Sequence, residues 1–182
     1  MFVRPLTKIV VSAVLAFAWQ CAMSAGAPEI ARDANASLQQ LYASVPAAKT
    51  LGANAVAILV FPKVTKAGLG VGGQYGEGAL LQKGKAVGYY STAGASVGLQ
   101  AGAQQFAYAL FFMNPNALAQ LDKAEGFEIG VGPTVVVMDE GKAKTMTTTT
   151  AKDDVYAFIF GQKGLMAGLG VQGNKITKIN PK

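Results

Sequence analysis

Two kinds of short pattern in this sequence have the residue types and spacing of a reaction site. Gly94-Ala95-Ser96-Val97-Gly98 has the spacing of a nucleophile elbow, where a strained turn presents a serine to a basic partner. A serine hydroxyl needs such a base to take its proton, and the sequence has no histidine. The usual triad cannot be assembled, so Ser96 reads as a small residue in a row of glycines. Gly68-Leu69-Gly70-Val71-Gly72-Gly73 and the run 168–173 have the spacing of a dinucleotide fingerprint. That fingerprint works only where a strand feeds a helix whose N-terminus faces the pyrophosphate. After Gly73 the period-two alternation of a strand continues, and no Gly-Lys-Ser or Gly-Lys-Thr follows to build a phosphate loop.

The remaining candidates are carboxylates. The absence of histidine, with Cys21 as the one cysteine, excludes the common soft-metal sites, and no cofactor is expected. Asp139-Glu140 and Asp153-Asp154 are sequence neighbours that point to opposite faces of an extended chain, so both pairs read as solvated turns. Glu77 lies in the glycine-rich strand on the side of Leu69, Val71 and Tyr75, and reads as a hydrogen-bond acceptor at a bulge near Gly76 or Gly78. None of these patterns assembles a reaction, and the chain is expected not to be an enzyme.

The elements that would position any site follow from hydrophobic period. At 182 residues the chain is the size of one domain with a real core. Arg4 and Lys8 precede an apolar run from Ile9 to Trp19 and the small residues Ala22, Ser24 and Ala25, the pattern of a secretory signal peptide over 1–24. Ala18-Trp19-Gln20 before Cys21 lacks the small residues that lipid attachment requires, so a lipoprotein form is not expected. Removing Arg4 and Lys8 from sixteen basic residues leaves fourteen against ten acids, a mild cationic bias with Arg32 as the single remaining arginine. Guanidinium forks carry most base readout, so nucleic acid is not an expected partner.

From Glu29 to Val45 the apolar residues Ile30, Ala34, Leu38, Leu41, Tyr42 and Val45 recur at helical spacing, and Pro46 stops this amphipathic helix. A further helical turn covers 47–52, completing a helical arm over 25–53, and a β-rich domain occupies 54–182. Ala55 to Phe61 is apolar throughout, as in a strand buried on both faces. From Lys66 to Leu81, Gly68, Gly70, Gly72, Gly76 and Gly78 share one face of a strand, and the stripe returns at Gly94, Gly98 and Gly102, at Gly130 and Gly132, and at Gly168 and Gly170. Phe106 to Met113 and Val155 to Phe160 read as central strands. Asn114 caps a short helix that begins with Pro115 and runs to about Asp122, with Gly126 at its exit. Turns are expected at 82–85, 140–142 and 162–164. The fold class is α+β and β-rich: a strongly curved antiparallel sheet or small closed barrel, with an N-terminal amphipathic helix and a short internal helix. Two readings of the glycine stripes stay open, tight coiling of the sheet on itself and contact with an acyl chain. A membrane-spanning barrel is disfavoured, because its strands would be polar on the inner face.

The run 57–68, Ala-Ile-Leu-Val-Phe-Pro-Lys-Val-Thr-Lys-Ala-Gly, followed by Gly72-Gly73-Gln74-Tyr75-Gly76-Glu77-Gly78, resembles the opening of a bacterial SYLF domain. Tyr89-Tyr90-Ser91-Thr92-Ala93-Gly94, the run 98–104, Ala109 to Met113, and Lys163-Gly164-Leu165-Met166-Ala167-Gly168 resemble later blocks of that family in the same order. The resemblance implies a lipid-binding module; eukaryotic relatives associate with phosphoinositide membranes, partly through an amphipathic N-terminal helix, and some bind actin filaments. The corresponding helix here carries only Arg32 as a basic residue, and an exported protein would not meet cytosolic actin. The expected function is phospholipid binding at a membrane surface of the bacterial envelope, periplasmic or secreted. The alternative is an envelope structural or protein-interaction module without lipid. Expected membrane contacts are Lys49, Lys63, Lys66, Leu38, Leu41 and Tyr42, with Gly68, Gly70, Gly72, Gly168 and Gly170 as structural or acyl-contact positions.

Overall fold

The computed structural model describes residues 25–123, 127–128, 134–138, 153–164 and 173–182. The signal-peptide segment, Gly126, Gly130, Gly132, the expected turn at 140–142, Gly168 and Gly170 lie outside these residues. The chain opens with α1 (Ala27–Ser44) and α2 (Pro46–Asn54). Proline in the first turn starts each helix, where its missing N–H would be unpaired anyway. Two long strands follow, β1 (Ala57–Gln82) and β2 (Lys85–Phe112), joined by the two-residue turn Lys83-Gly84. Then come α3 (Pro115–Ala119), a 3₁₀ turn (Gln120–Asp122), and the strands β3 (Phe127–Glu128), β4 (Val135–Met138), β5 (Val155–Gly164) and β6 (Lys175–Ile179).

β2 organises the sheet. It pairs along its length with β1, with β6 through Tyr89 to Ala93, and with β5 through Gln104 to Phe112. The order β3-β6-β2-β5-β4 is antiparallel except for the β4–β5 pair, and β1 completes it on β2. The result is a strongly curled half-barrel, the curved-sheet alternative of the two expected.

The glycine stripe explains the curl. A straight strand of 26 residues would reach about 85 Å, far beyond a domain of this size. Instead β1 folds over itself. A Cβ built on Gly76 would lie 2.7 Å from the Lys63 carbonyl oxygen and 2.8 Å from Val64 Cγ2. One built on Gly78 would collide with the Val60 carbonyl and the Phe61 ring. The two halves of one strand thus pack backbone to backbone, at a separation no side chain permits. Register shifts in β1 at Phe61/Val64 and Leu69/Val71 supply the bends.

Each face of the sheet closes its own core. The concave side buries Leu59, Phe61, Val64, Phe106, Tyr108, Leu110 and Phe112 under α3 and β6. On the convex side Ile58, Val60, Ala79, Leu81, Phe111, Tyr156 and Phe158 pack against Ile30, Ala34, Leu38 and Leu41 of α1. Of the apolar run Ala55 to Phe61, the part from Ala57 is a strand buried on both faces as expected, whereas Ala55 caps α2 and Val56 is exposed, because the helix ends only at Asn54. Asn114 caps α3 as expected, its Oδ1 accepting from Ala117 N at 2.8 Å, and its Nδ2 donates to Asp154 Oδ1 at 2.7 Å. Asp154 is therefore an anchor between α3 and β5, beyond a solvated turn. Two local expectations are corrected. The segment 162–164 is not a turn: β5 absorbs Gly161 and Gln162 as a bulge and continues to Gly164 opposite Gln104 and Gln105. Glu77 sits at no bulge; its Oε1 accepts from the Tyr75 hydroxyl at 3.0 Å.

Candidate functional site

Helix α1 lies on the convex face with a cleft along each flank. Asn35, Leu38, Gln39 and Tyr42 form one wall of the first cleft, the i, i+3, i+4, i+7 set of a single helix side. The other walls come from Lys49 and Gly52 of α2, the start of β1, and the Lys83-Gly84 turn, enclosing about 320 Å³. Gly52 makes room for the Tyr42 ring, which would overlap a Cβ at that position. Tyr42 also packs on Phe111, with ring centroids 6.5 Å apart, and burial raises its hydroxyl pKa. Lys49 and Lys83 are the charged residues of this lining, and no carboxylate shares it.

Lys83 is held by an unusual backbone. Its φ of 50° and that of Gly84, 78°, give both turn residues the left-handed conformation of a type I′ hairpin. For a residue with a Cβ this conformation costs about 1–2 kcal/mol, and asparagine is the residue usually found there. The strain aims a cation into the cleft wall.

The second cleft, about 400 Å³, runs along the opposite side of α1, where Asp33, Ser37 and Gln40 face Lys63 and Lys163. Of the sequence-predicted contacts, Leu38, Tyr42 and Lys49 therefore meet in the first cleft and Lys63 stands in the second. Leu41 is buried in the convex core at 1 % exposure, and Leu38 retains only 5 %. Lys66 is buried on the concave side beside its register partner Gln104. The apolar stripe of α1 is thus spent on the sheet, and its exposed positions are the polar Glu29, Arg32, Gln39, Gln40 and Ser44 with the small apolar Pro28, Ala36 and Ala43. Among the glycines, the space over Gly68 is taken by the backbone of Val71 and Gly72, and Gly72 itself is buried; Gly70 belongs to β1.

Beneath the curl lies a buried polar cluster. The Tyr108 hydroxyl donates to Thr92 Oγ1, Asn174 Nδ2 reaches the same oxygen at 3.5 Å, and Gln74 Nε2 donates to Asn174 Oδ1. Gly94 leaves the space that Asn174 occupies. Burial drives the Tyr108 pKa far above its ordinary value, with the Thr92 and Asn174 hydrogen bonds opposing. This cluster ties β1, β2 and β6 together. On the outside of the same region, Leu69, Val71 and Tyr75 form a bare apolar row, 82, 66 and 53 % exposed. Lys83 and Lys163 were missed by sequence reasoning, since nothing in their local patterns distinguishes them from other surface lysines.

Fold and clefts define a β-rich half-barrel that carries basic pockets on both flanks of an N-terminal helix. Residues 93–181 match the family described as Ysc84, Las17-binding protein actin regulator, a match consistent with the SYLF-domain resemblance. The blocks at 57–78 that resemble the same family precede the matched span. No curated protein matches the chain. The family suggests a lipid-binding or actin-regulator-like module.

Proposed function

We propose that this protein is a non-enzymatic module that binds anionic phospholipid at a membrane surface of the bacterial envelope, after export directed by residues 1–24. The observation that carries this reading is the first cleft: an open cavity with apolar walls, two lysines and no carboxylate. A lysine near an anionic bilayer contributes about 1 kcal/mol, so Lys49 and Lys83 together supply roughly 2 kcal/mol. Apolar contact must provide the rest. α1 cannot give it by insertion without leaving the sheet, because Ile30, Ala34, Leu38 and Leu41 already form the convex core. Among the described residues no helix is long and apolar enough to cross a membrane. In this reading the contact is peripheral, through the clefts and the apolar side chains at their rims, of which Val56 is 39 % exposed.

Co-sedimentation of the mature protein with phosphatidylglycerol or cardiolipin vesicles tests the reading. Lys83→Asn is the most informative variant, since asparagine suits the turn better and the fold should lose nothing. It should bind about fivefold more weakly, the equivalent of about 1 kcal/mol. Absence of wild-type binding at low salt would remove the proposal. A second reading, a structural or protein-interaction module without lipid, is favoured by the bare row Leu69, Val71 and Tyr75. It predicts a crosslinked protein partner and no lipid retained through purification.

A further inference from the structure

The second cleft is built where two β-bulges lie side by side. In the β1–β2 ladder the register passes from Phe61↔Tyr108 to Val64↔Phe106, leaving Pro62 and Lys63 out of the ladder. In the β2–β5 ladder it passes from Gln105↔Lys163 to Ala107↔Phe160, leaving out Gly161 and Gln162. Gly161 has a φ of 64°, the left-handed conformation that a bulge of this kind asks of glycine. Bulges re-aim side chains and interrupt pairing, and here they bring Lys63 and Lys163, a hundred positions apart in sequence, into one cleft against α1. Each lysine belongs to a sequence block, Phe-Pro-Lys at 61–63 and Gln-Lys-Gly at 162–164, that the first cleft does not use.

Among the described residues the positive charge of this cleft is not offset. Its one acid, Asp33, is held by Arg32, whose Nε and Nη2 both donate to Asp33 Oδ1 at 3.0 Å. No ion pair among the described residues engages Lys63 or Lys163. Two ammonium groups, the Ser37 hydroxyl and the amides of Gln40 and Gln105 therefore line a space of about 400 Å³ with donors. At about 30 Å³ per water-sized group, that volume takes roughly a dozen such groups. It is large enough for a phosphate-bearing headgroup.

We infer that this bulge-built cleft is a second anion site, which takes the phosphate of a glycerophosphate-type headgroup between Lys63 and Lys163. The inference rests on the lipid reading for the source of the phosphate, and on the cleft alone for its chemistry. With one basic site on each flank of α1, the helix lies flat on the bilayer, its polar face outward, straddled by two headgroups. Binding then rises more steeply with the anionic lipid fraction than one site allows.

Two arms test this. In the first, sn-glycerol 1-phosphate and inorganic phosphate are titrated into the wild-type protein and the Lys63→Gln/Lys163→Gln double variant, followed by amide chemical shifts. Saturable shifts at Lys63, Ala107, Gly161 and Lys163 in the wild type, lost in the variant, are expected. Shifts from glycerol phosphate alone would mark a headgroup site, and shifts from both ligands a general phosphate site. No shift, or shifts unchanged in the variant, overturns the inference whatever the vesicles do. In the second arm, the same variant is sedimented with vesicles of rising phosphatidylglycerol content. An at least tenfold weaker binding and a shallower rise are expected. Wild-type-like binding by this variant, beside weakened binding by Lys83→Asn, would reject the second site and leave the proposed function standing.

Discussion

Replacing Gly76 by alanine puts a methyl group into space that the chain's own backbone occupies. The added Cβ would stand 2.7 Å from the Lys63 carbonyl oxygen, 2.8 Å from Val64 Cγ2 and 3.1 Å from Val64 Cα. Carbon atoms in good contact are about 3.5–4.0 Å apart, so the two layers must part by the better part of an ångström. Overpacking costs about 1–3 kcal/mol. Two of the three obstacles are main chain, which has no rotamer to change, so the upper end, about 3 kcal/mol, is expected. In a domain of this size each kcal/mol lowers Tm by about 2–4 °C, which gives a loss of roughly 6–12 °C. Gly73 supplies the control. It lies on the same strand, is exposed, and its Cβ would meet nothing nearer than the Gly94 carbonyl at 3.9 Å. Gly73→Ala should be neutral or gain up to about 1 kcal/mol by restricting the unfolded chain. Thermal and urea unfolding of the two variants, followed by circular dichroism, separates the cases. Equal melting temperatures would refute self-packing as the reason for the stripe, and would favour a surface left open to a ligand.

Two further variants probe the anchors of the sheet. Tyr108→Phe removes the hydroxyl that donates to Thr92, at a cost of about 1 kcal/mol at neutral pH. Because burial raises the Tyr108 pKa, its contribution is intact below the ordinary value of 10.0 and is lost as pH rises beyond it. The variant should therefore lose less stability than wild type between pH 10 and 11 in urea titrations, with Tyr42, Tyr75 and Tyr90 supplying the slope that remains. Asn114→Ala removes the cap of α3 and should cost about 1 kcal/mol. It also releases Asp154, whose pKa is held below its ordinary 3.8 by Asn114 first and by Thr134. A depressed carboxylate stabilises above that value and ceases to do so as pH falls through the folded pKa. The variant should accordingly show a weaker acid destabilisation than wild type, measured by thermal melts from pH 5 to pH 2.

The fold was legible wherever a pattern has a single physical solution. The unbroken apolar run at 55–61 marks a strand covered on both sides, which the structure begins two residues later at Ala57, and Asn114-Pro115 begins a helix. The glycine stripe was legible as a packing demand, but not as β1 folding onto its own first half, because that partner is chosen by bends at 61–64 and 69–71 that carry no strong local signal. The same limit governs the clefts. Leu38, Tyr42 and Lys49 are close in sequence and could be grouped by helical spacing, whereas Lys83 joins them only through the length of the β1–β2 hairpin. Lys63 and Lys163 meet only because two bulges coincide in adjacent ladders. Lys66, one turn of the alternation away from this cleft, falls on the concave side because the register slips at 61–64. The helix misleads in another way. Its amphipathic pattern is real, but a pattern cannot say whether the apolar stripe faces a sheet or a bilayer.

Native mass spectrometry of the protein purified from its own cells without detergent, with extraction of whatever travels with it, measures the central claim directly. The account predicts a phosphate-bearing lipid in stoichiometric amount on the wild-type chain, and its loss when Lys49, Lys63, Lys83 and Lys163 are all changed to glutamine. A lipid-free wild-type protein, or a lipid retained equally by the quadruple variant, would contradict it.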